Sequence, residues 1–417
     1  MAPRWAYPRC ISCAARAGPL TTCPERPETT MTSTQQQIPN RNPGATGLAA
    51  APSLTVLSDQ PEKWTAHGKS PITWSEARER VAVADAADGV RSDLAIGDLS
   101  AFVVGPNPAG VASLAAIPVP GRPNHGLLPM RKAAFRHLAS AIGAPADYLL
   151  GLPAKLATAC ISTGLQRLDP KNTSKLLRLA NDEVRAVASD RYAPLDNALV
   201  LDTTERSLRA LGMLSDVRVT DLAVGPTLSM RIVLPGEDKP VRKGDIISYG
   251  FDILNGETLN RSVSIAPSTY RLVCLNGMRA WSTGAAKRWT HVGDPERLRQ
   301  AFTDALPVAL AESKGLRERM VTAVDRLIDD ALGEIEGLSA FGFGVGETRA
   351  IARDLFNDRG VALPTATDQW QDVIASAAPV TVYDVANAIT HVAQTRNVDD
   401  RLTWEEAGGA YLLRRTR

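Results

Sequence analysis

The chain has 417 residues, of which 44% are hydrophobic, enough to form the cores of two or three domains. Residues 1–30 contain four of the 47 Lys and Arg and two of the 45 Asp and Glu, which leaves 43 of each in the rest of the chain. A neutral body excludes a protein that coats DNA by bulk charge and leaves only a local basic patch for nucleic-acid contact. The apolar runs are far shorter than the roughly 20 residues that span a bilayer, so no membrane partner is predicted.

The first segment, residues 1–51, is predicted to be a disordered tail, because its later part is rich in Gln, Asn, Pro and Gly. It holds three of the five cysteines, and Met31 is an alternative start that would remove them. Cys10 and Cys13 have the spacing of half a zinc site, but no second pair lies nearby. We therefore predict no metal, no cofactor, no disulfide framework and a reducing cytoplasmic location.

Residues 52–125 are predicted to be an N-terminal arm with a short helix from Trp74 to Ala84, followed by a Gly/Pro-rich passage. Residues 126–180 are predicted to be helical. An apolar face runs along Arg131–Ile142, Gly143 ends that helix, and a second short helix follows. The pair has the outline of a helix-turn-helix, but its second helix lacks side chains that read bases, which favours an ordinary packed pair.

Residues 181–292 are predicted to be sheet-rich, with strands at Glu183–Ala188, 216–222, 227–234, 245–254 and 261–265 and one helix at Pro194–Leu211. Asn255-Gly256 is predicted to form a hairpin turn. Residues 293–415 are predicted to be helical, starting from Asp294 and Pro295. Strands in series between helical regions predict an α+β fold with a central, mostly antiparallel sheet.

Charge is strongly biased in one place. From Thr258 to Gly293 the chain has no Asp or Glu, although it carries five Lys or Arg residues and three large aromatic residues. Cations neutralise phosphates and aromatic rings stack on bases, so this segment predicts contact with nucleic acid. The competing interpretation is a half-buried strand centred on Tyr270–Leu275.

Motifs for catalysis are weak. Gly342–Gly346 is spaced like a phosphate loop, but it follows a helix and no Gly-Lys-Ser/Thr comes after it. Cys274 with His291 as base has no orienting acid, so a structural thiol is the better interpretation. Asp190 has an ordinary role in a turn. The chain is therefore predicted to be non-catalytic, with an unrecognised enzyme that uses Asp190 and Cys274 as an alternative.

Three blocks resemble the phage/plasmid-related proteins catalogued as domain of unknown function 932. These are Val184–Asn197, Tyr270–Met278 and Asn387–Ala393, and the resemblance covers about residues 125–415. The matching positions in the first two blocks are Asp190, Arg191, Tyr192, Asp196, Asn197, Tyr270, Arg271, Asn276 and Gly277. Family members often place Asn-Ser-Glu before the second block, whereas this chain has Asn255-Gly256-Glu257, which puts a role for that turn in doubt.

The resemblance implies a mobile-element protein but no defined activity. Our first hypothesis is an accessory factor that binds single-stranded DNA or RNA, and the alternative is a factor that binds a host protein. Part of the acid-free segment coincides with the second family block, so the exposed contact strip is predicted to run from Arg279 to Trp289. The predicted nucleic-acid contacts are Arg271, Arg279, Trp281, Lys287, Arg288 and Trp289.

Overall fold

The computed structural model describes residues 52–57, 71–115, 128–271, 277–279 and 286–417. The predicted tail, residues 1–51, therefore lies outside the described residues, as do Trp281, Cys274 and Asn276. The α+β class with antiparallel sheets is confirmed.

The described residues of the N-terminal third form two small sheets and four α-helices. Its elements are α1 (Trp74–Asp88), β1 (Arg91–Ile96), β2 (Val103–Pro106), β3 (Ala112–Ala115), β4 (Leu128–Pro129), α2 (Lys132–Ala141), α3 (Ala146–Gly151), α4 (Ala154–Gln166), β5 (Lys175–Ala180) and β6 (Glu183–Ser189). The two sheets have strand orders β2-β3-β4 and β1-β5-β6.

The described part of 52–125 is not a separate arm. β1 pairs along its whole length with β5, and the side chains of β2–β4 share one hydrophobic core with α2 and α4. Helix α1, which begins at a capping box between Thr73 and Glu76, packs instead on the central core. The region 126–180 is also less helical than predicted, because it ends in β5.

The central sheet carries the site described below. Its elements are α5 (Asn197–Ala210), β7 (Arg218–Ala223), β8 (Thr227–Arg242), β9 (Asp245–Gly256), β10 (Val263–Arg271), β11 (Gly277–Arg279) and β12 (Lys287–Trp289). The strand order is β11-β10-β9-β8-β7, with β12 paired to the part of β10 that β11 leaves uncovered. Asn255-Gly256 does not form a two-residue hairpin, since residues 257–262 separate β9 from β10.

The two faces of the central sheet differ in chemistry. The even-numbered residues 228–234 of β8 and the odd-numbered residues 249–253 of β9 are apolar and pack with α1, α5 and the following long helix. The opposite face carries buried Ser229, Arg231, Asp252, Ser264 and Ser268. Alternation along each strand therefore separates an apolar core from a buried polar layer.

The C-terminal third is helical, as predicted. Its elements are α6 (Pro295–Ala323), β13 (Leu327–Ile328), α7 (Ala331–Glu336), α8 (Val345–Asn357), α9 (Trp370–Ala375), β14 (Val380–Thr381), α10 (Val382–Ala393) and α11 (Val398–Arg415). The predicted helix start at Asp294-Pro295 is present, with the Asp294 side chain accepting from the Glu296 amide. These helices share a third core and contribute α11, which contacts β11 on the polar side of the sheet.

Candidate nucleic-acid interface

Two of the predicted phosphate contacts are ion-paired inside the fold. Arg279 is 1% exposed, forms a short ion pair with Asp252, and lies 4.0 Å from the Glu405 carboxylate of α11. Arg271 donates from Nε to Asp245 at 2.7 Å. Their neighbour Tyr270 is 4% exposed. Arg279 and Tyr270 are therefore structural, and the predicted contact at Arg279 is corrected by its burial.

Strand β12 divides the remaining predicted contacts between two faces. Trp289 pairs with Val263 and packs against the apolar core, where its ring centroid lies 6.1 Å from that of Phe302. Arg288 pairs with Ser264 on the polar face, while Lys287 alternates back to the side of Trp289. Lys287 and Arg288 are both exposed. Arg279, Lys287, Arg288 and Trp289 therefore do not share one exposed face, because burial and strand alternation separate them.

Arg288 instead belongs to a cleft on the polar side of the sheet edge. The cleft has a volume of about 390 Å³ and lies between the turn after β6, the loop after β9, and β12 with the residues that follow it. Side chains that face it include Tyr192, Arg261, Ser262, Ser264, Arg288 and His291. Among the described residues that line the cleft there is no Asp or Glu. Arg261 also pairs with Asp399 at the start of α11, a pair whose acid is 61% exposed.

A stacked pair of aromatic side chains lines one side of the cleft. The rings of Tyr192 and His291 lie 5.3 Å apart at 10°, and the Ala193 amide donates to the His291 carbonyl at 2.9 Å. His291 is 4% exposed, yet neither ring nitrogen makes a hydrogen bond of ordinary geometry to a described residue. Burial lowers the pKa of His291, and the Ala193 backbone opposes this only in part. The imidazole is consequently neutral at physiological pH, with one donor and one acceptor available.

Below this pair lies a buried network centred on Glu257. Its carboxylate is fully buried and accepts from Arg91 Nη1 at 2.9 Å, from Arg185 Nη2 at 2.7 Å and from the Asn197 amide at 2.7 Å. Asn197 is the first residue of α5, so the carboxylate lies at the positive end of that helix. This arrangement joins β1, β6 and α5 through one acid.

The backbone of Glu257 fixes the aromatic pair. Its carbonyl accepts from the Tyr192 hydroxyl at 3.2 Å and from Arg178 Nη1 at 2.7 Å. Arg178 also lies over the Tyr192 ring, 5.6 Å from its centroid, and forms a short ion pair with Asp196. Burial raises the pKa of Tyr192 to about 12, so the hydroxyl remains a neutral donor.

The turn Asn255-Gly256-Glu257, whose role the sequence left in doubt, is a central part of the site. Asn255 Nδ2 donates to the Leu195 carbonyl and to Asn197 Oδ1, both at 2.9 Å. A side chain at Gly256 would overlap the following loop at Asn260 and Arg261. The turn therefore connects Leu195 and Asn197 to the loop that borders the cleft.

The remaining motif positions are scattered. Asp190 and Arg191 are exposed in the turn after β6. Gly277 packs so closely on the Arg231 guanidinium that a Cβ would overlap it. Asn276 and Cys274 lie outside the described residues, so the alternative site that joins Cys274 to Asp190 has no geometry. Among the described residues no three His, Cys, Asp or Glu side chains are grouped to share a metal ion.

The polar layer of the central sheet contains a second ionic network. Arg231 Nη2 donates to Asp252 at 2.7 Å and to Glu405 at 2.6 Å. The two arginines Arg231 and Arg279 hold the pKa of Asp252 well below its usual range despite its burial. This network fixes α11 to the sheet, beside the cleft.

No protein-family model matches this chain, and no curated protein or solved structure shows significant similarity to it. The resemblance to the phage/plasmid-related family thus stays a prediction that rests on the three sequence blocks. In the described part of the chain, no helix combines the length and apolarity needed to cross a membrane.

Proposed function

We propose that this protein binds single-stranded nucleic acid, with the cleft between Tyr192, Arg261 and Arg288 as its contact site. The observation that carries the proposal is the combination of two guanidinium groups, an aromatic pair and no described acid in one cleft. Guanidinium groups bind phosphate oxygens, and aromatic rings offer a surface for bases. Lys287, exposed on the same strand as Arg288 but on the opposite face of the sheet, adds a third positive charge at this edge.

The shape of the cleft favours a single strand over a duplex. A volume of about 390 Å³ accepts a nucleotide but not a double helix. Aromatic side chains recognise bases that are not already stacked and paired, which is the state of a single strand. The buried Glu257 network stabilises Tyr192, so the contact surface is preorganised before a ligand arrives.

The ion pair between Arg261 and Asp399 does not oppose this proposal. The pair is partly exposed, and exposed pairs contribute only about 0–1 kcal/mol. A phosphate can therefore replace the Asp399 carboxylate at little cost.

The test is fluorescence anisotropy with labelled 20-nucleotide DNA and RNA single strands and a matched duplex, between about 50 and 200 mM salt. The double variant Arg261→Ser/Arg288→Ser should weaken single-strand binding at least about tenfold and lower the salt slope by about 1.4, for two phosphate contacts. The matched control is Lys155→Ser/Lys171→Ser, which removes the same charge from exposed sites on α4 and in the turn after it.

The control variant and the wild type should bind the single strand with affinities within about twofold of each other. Lys155 and Lys171 are not among the residues that line the cleft, so their charges act on the ligand only at a distance and are screened by salt. Circular dichroism would confirm that both variants fold. Absence of single-strand binding below about 10 µM at low salt would contradict the proposal, and so would equal losses in the cleft and control variants.

A further inference from the structure

The polar groups that face the cleft are mainly hydrogen-bond donors. The residues that line it include two arginines, Arg261 and Arg288, two serines, Ser262 and Ser264, and His291, whose ring nitrogens are buried in the wall of the cleft. No carboxylate is among the described residues that line the cleft. Such a set matches a ligand group with several acceptor oxygens and negative charge.

The size of the cleft restricts how a strand can enter it. At about 390 Å³ it lies near the lower end of small-molecule pockets, which is room for about one nucleotide and not for a run of them. An internal nucleotide would have to unstack from its neighbours on both sides, which is unfavourable. The end of a strand has a neighbour on one side only.

His291 gives independent support for a ligand at this position. It is 96% buried, lines the cleft, and makes no hydrogen bond of ordinary geometry from either ring nitrogen to a described residue. Leaving such a buried polar group without a partner is unfavourable, and a ligand oxygen would remove that cost. A phosphomonoester has three terminal oxygens for these donors, whereas an internal phosphodiester has two.

We propose that the cleft binds the phosphorylated end of a single strand, with the terminal phosphate between Arg261, Arg288 and His291. This inference rests on the proposed function and makes it more specific. The Tyr192–His291 pair would then border the terminal nucleotide, and the rest of the strand would leave along the exposed edge at Lys287. The cleft would prefer a phosphorylated end because a phosphomonoester carries one more negative charge and one more acceptor oxygen than an internal phosphodiester.

The experiment is competition against a labelled 5′-phosphorylated strand by four unlabelled strands of one sequence: 5′-phosphorylated, 3′-phosphorylated, hydroxyl-ended and circular. One of the two phosphorylated strands should compete about tenfold better than the hydroxyl-ended and circular strands. A tenfold difference in affinity corresponds to about one charge-assisted hydrogen bond. Equal competition by all four strands would overturn the inference and leave the proposed function intact. If no strand binds, the proposed function fails as well.

A variant of His291 tests whether the preference for a phosphorylated end arises in the cleft. His291→Phe keeps an aromatic ring against Tyr192 but removes both ring nitrogens. It should reduce the ratio of affinities between the phosphorylated and the hydroxyl-ended strand to less than about threefold, and because both strands are measured on the same variant, a general loss of binding cancels from that ratio. An unchanged preference in a folded His291→Phe protein would overturn the role of His291. The wild-type competition does not depend on how this variant folds.

Discussion

Glu257→Gln should destabilise the fold more than any ordinary surface substitution. Glu257 is fully buried and its carboxylate is shared by Arg91, Arg185 and the first amide of α5. Glutamine has nearly the same shape, so packing is preserved and only the charge is removed. One amide oxygen can still accept, but the amide nitrogen would point a donor at another donor.

The size of the expected loss in unfolding free energy depends on the acidic partners that Arg91 and Arg185 retain. Arg91 keeps Asp85 at 2.8 Å, and Arg185 keeps Asp88 at 3.4 Å. Removing one partner of a buried ion pair costs about 3–5 kcal/mol, and these second partners place the expected loss near 3 kcal/mol. Because domains are stable by only about 5–15 kcal/mol, such a loss is a large part of the total.

Urea unfolding followed by tryptophan fluorescence measures this loss. The control is Glu183→Gln, the same substitution at a carboxylate that is 35% exposed and pairs with Arg131 at 2.9 Å. The control should lose less than about 1 kcal/mol. If Glu257→Gln were also within about 1 kcal/mol of wild type, the network around Glu257 would not organise the site, and this explanation would be refuted.

Three further predictions concern the structure around the site. Arg279→Lys should lose about 2 kcal/mol in urea unfolding and leave strand affinity within about twofold, because Arg279 is buried; a selective loss of affinity would contradict this. Gly277→Ala should lose at least about 2 kcal/mol by overlap with Arg231, whereas Gly315→Ala, with open space in α6, should gain about 0.5–1 kcal/mol; equal effects would be contrary evidence. Burial raises the pKa of Asp85 to about 6 from 3.8, so its contribution to stability is present near pH 4 and is lost as pH rises through 6. Asp85→Asn should therefore have the same urea midpoint as wild type near pH 4 and a higher midpoint above pH 6. A difference between the two midpoints that stays constant from pH 4 to 7 would argue against that pKa.

Regular elements with strong local signals were predictable. The apolar face of α2, the proline at the start of α6 and the alternation of β8 each follow from neighbouring residues. Helix α11 has a weaker local signal, because Gly408 and Gly409 lower its helix propensity. Gly408 is needed there, since a Cβ would press on Thr390 of α10 at 2.8 Å, and that contact depends on tertiary packing.

The candidate site was predictable only in part. Two of the five cations in the acid-free segment, Arg261 and Arg288, line the cleft that carries the proposed function, and of these two Arg288 was among the predicted contacts. Composition could not reveal that Asp252 and Glu405 neutralise Arg279, since they come from a distant strand and from α11. Glu257 immediately precedes the acid-free segment, and only the fold brings it to Arg91 and Arg185.

A signal for the buried network was nevertheless present. Arg185 interrupts an otherwise apolar strand, and Arg178 does the same one strand earlier. An arginine buried among apolar residues requires an acid or carbonyl partner. The sequence thus indicated that a partner exists, but many carboxylates were available, and the choice of Glu257 depends on the three-dimensional arrangement.

The most direct test of the central proposal is the salt dependence of single-strand binding for wild type, for Arg261→Ser/Arg288→Ser and for Lys155→Ser/Lys171→Ser. The predicted result is binding that weakens with salt, a slope smaller by about 1.4 in the cleft variant, and a control that follows wild type. Identical slopes for all three proteins would contradict the assignment of nucleic-acid binding to the cleft.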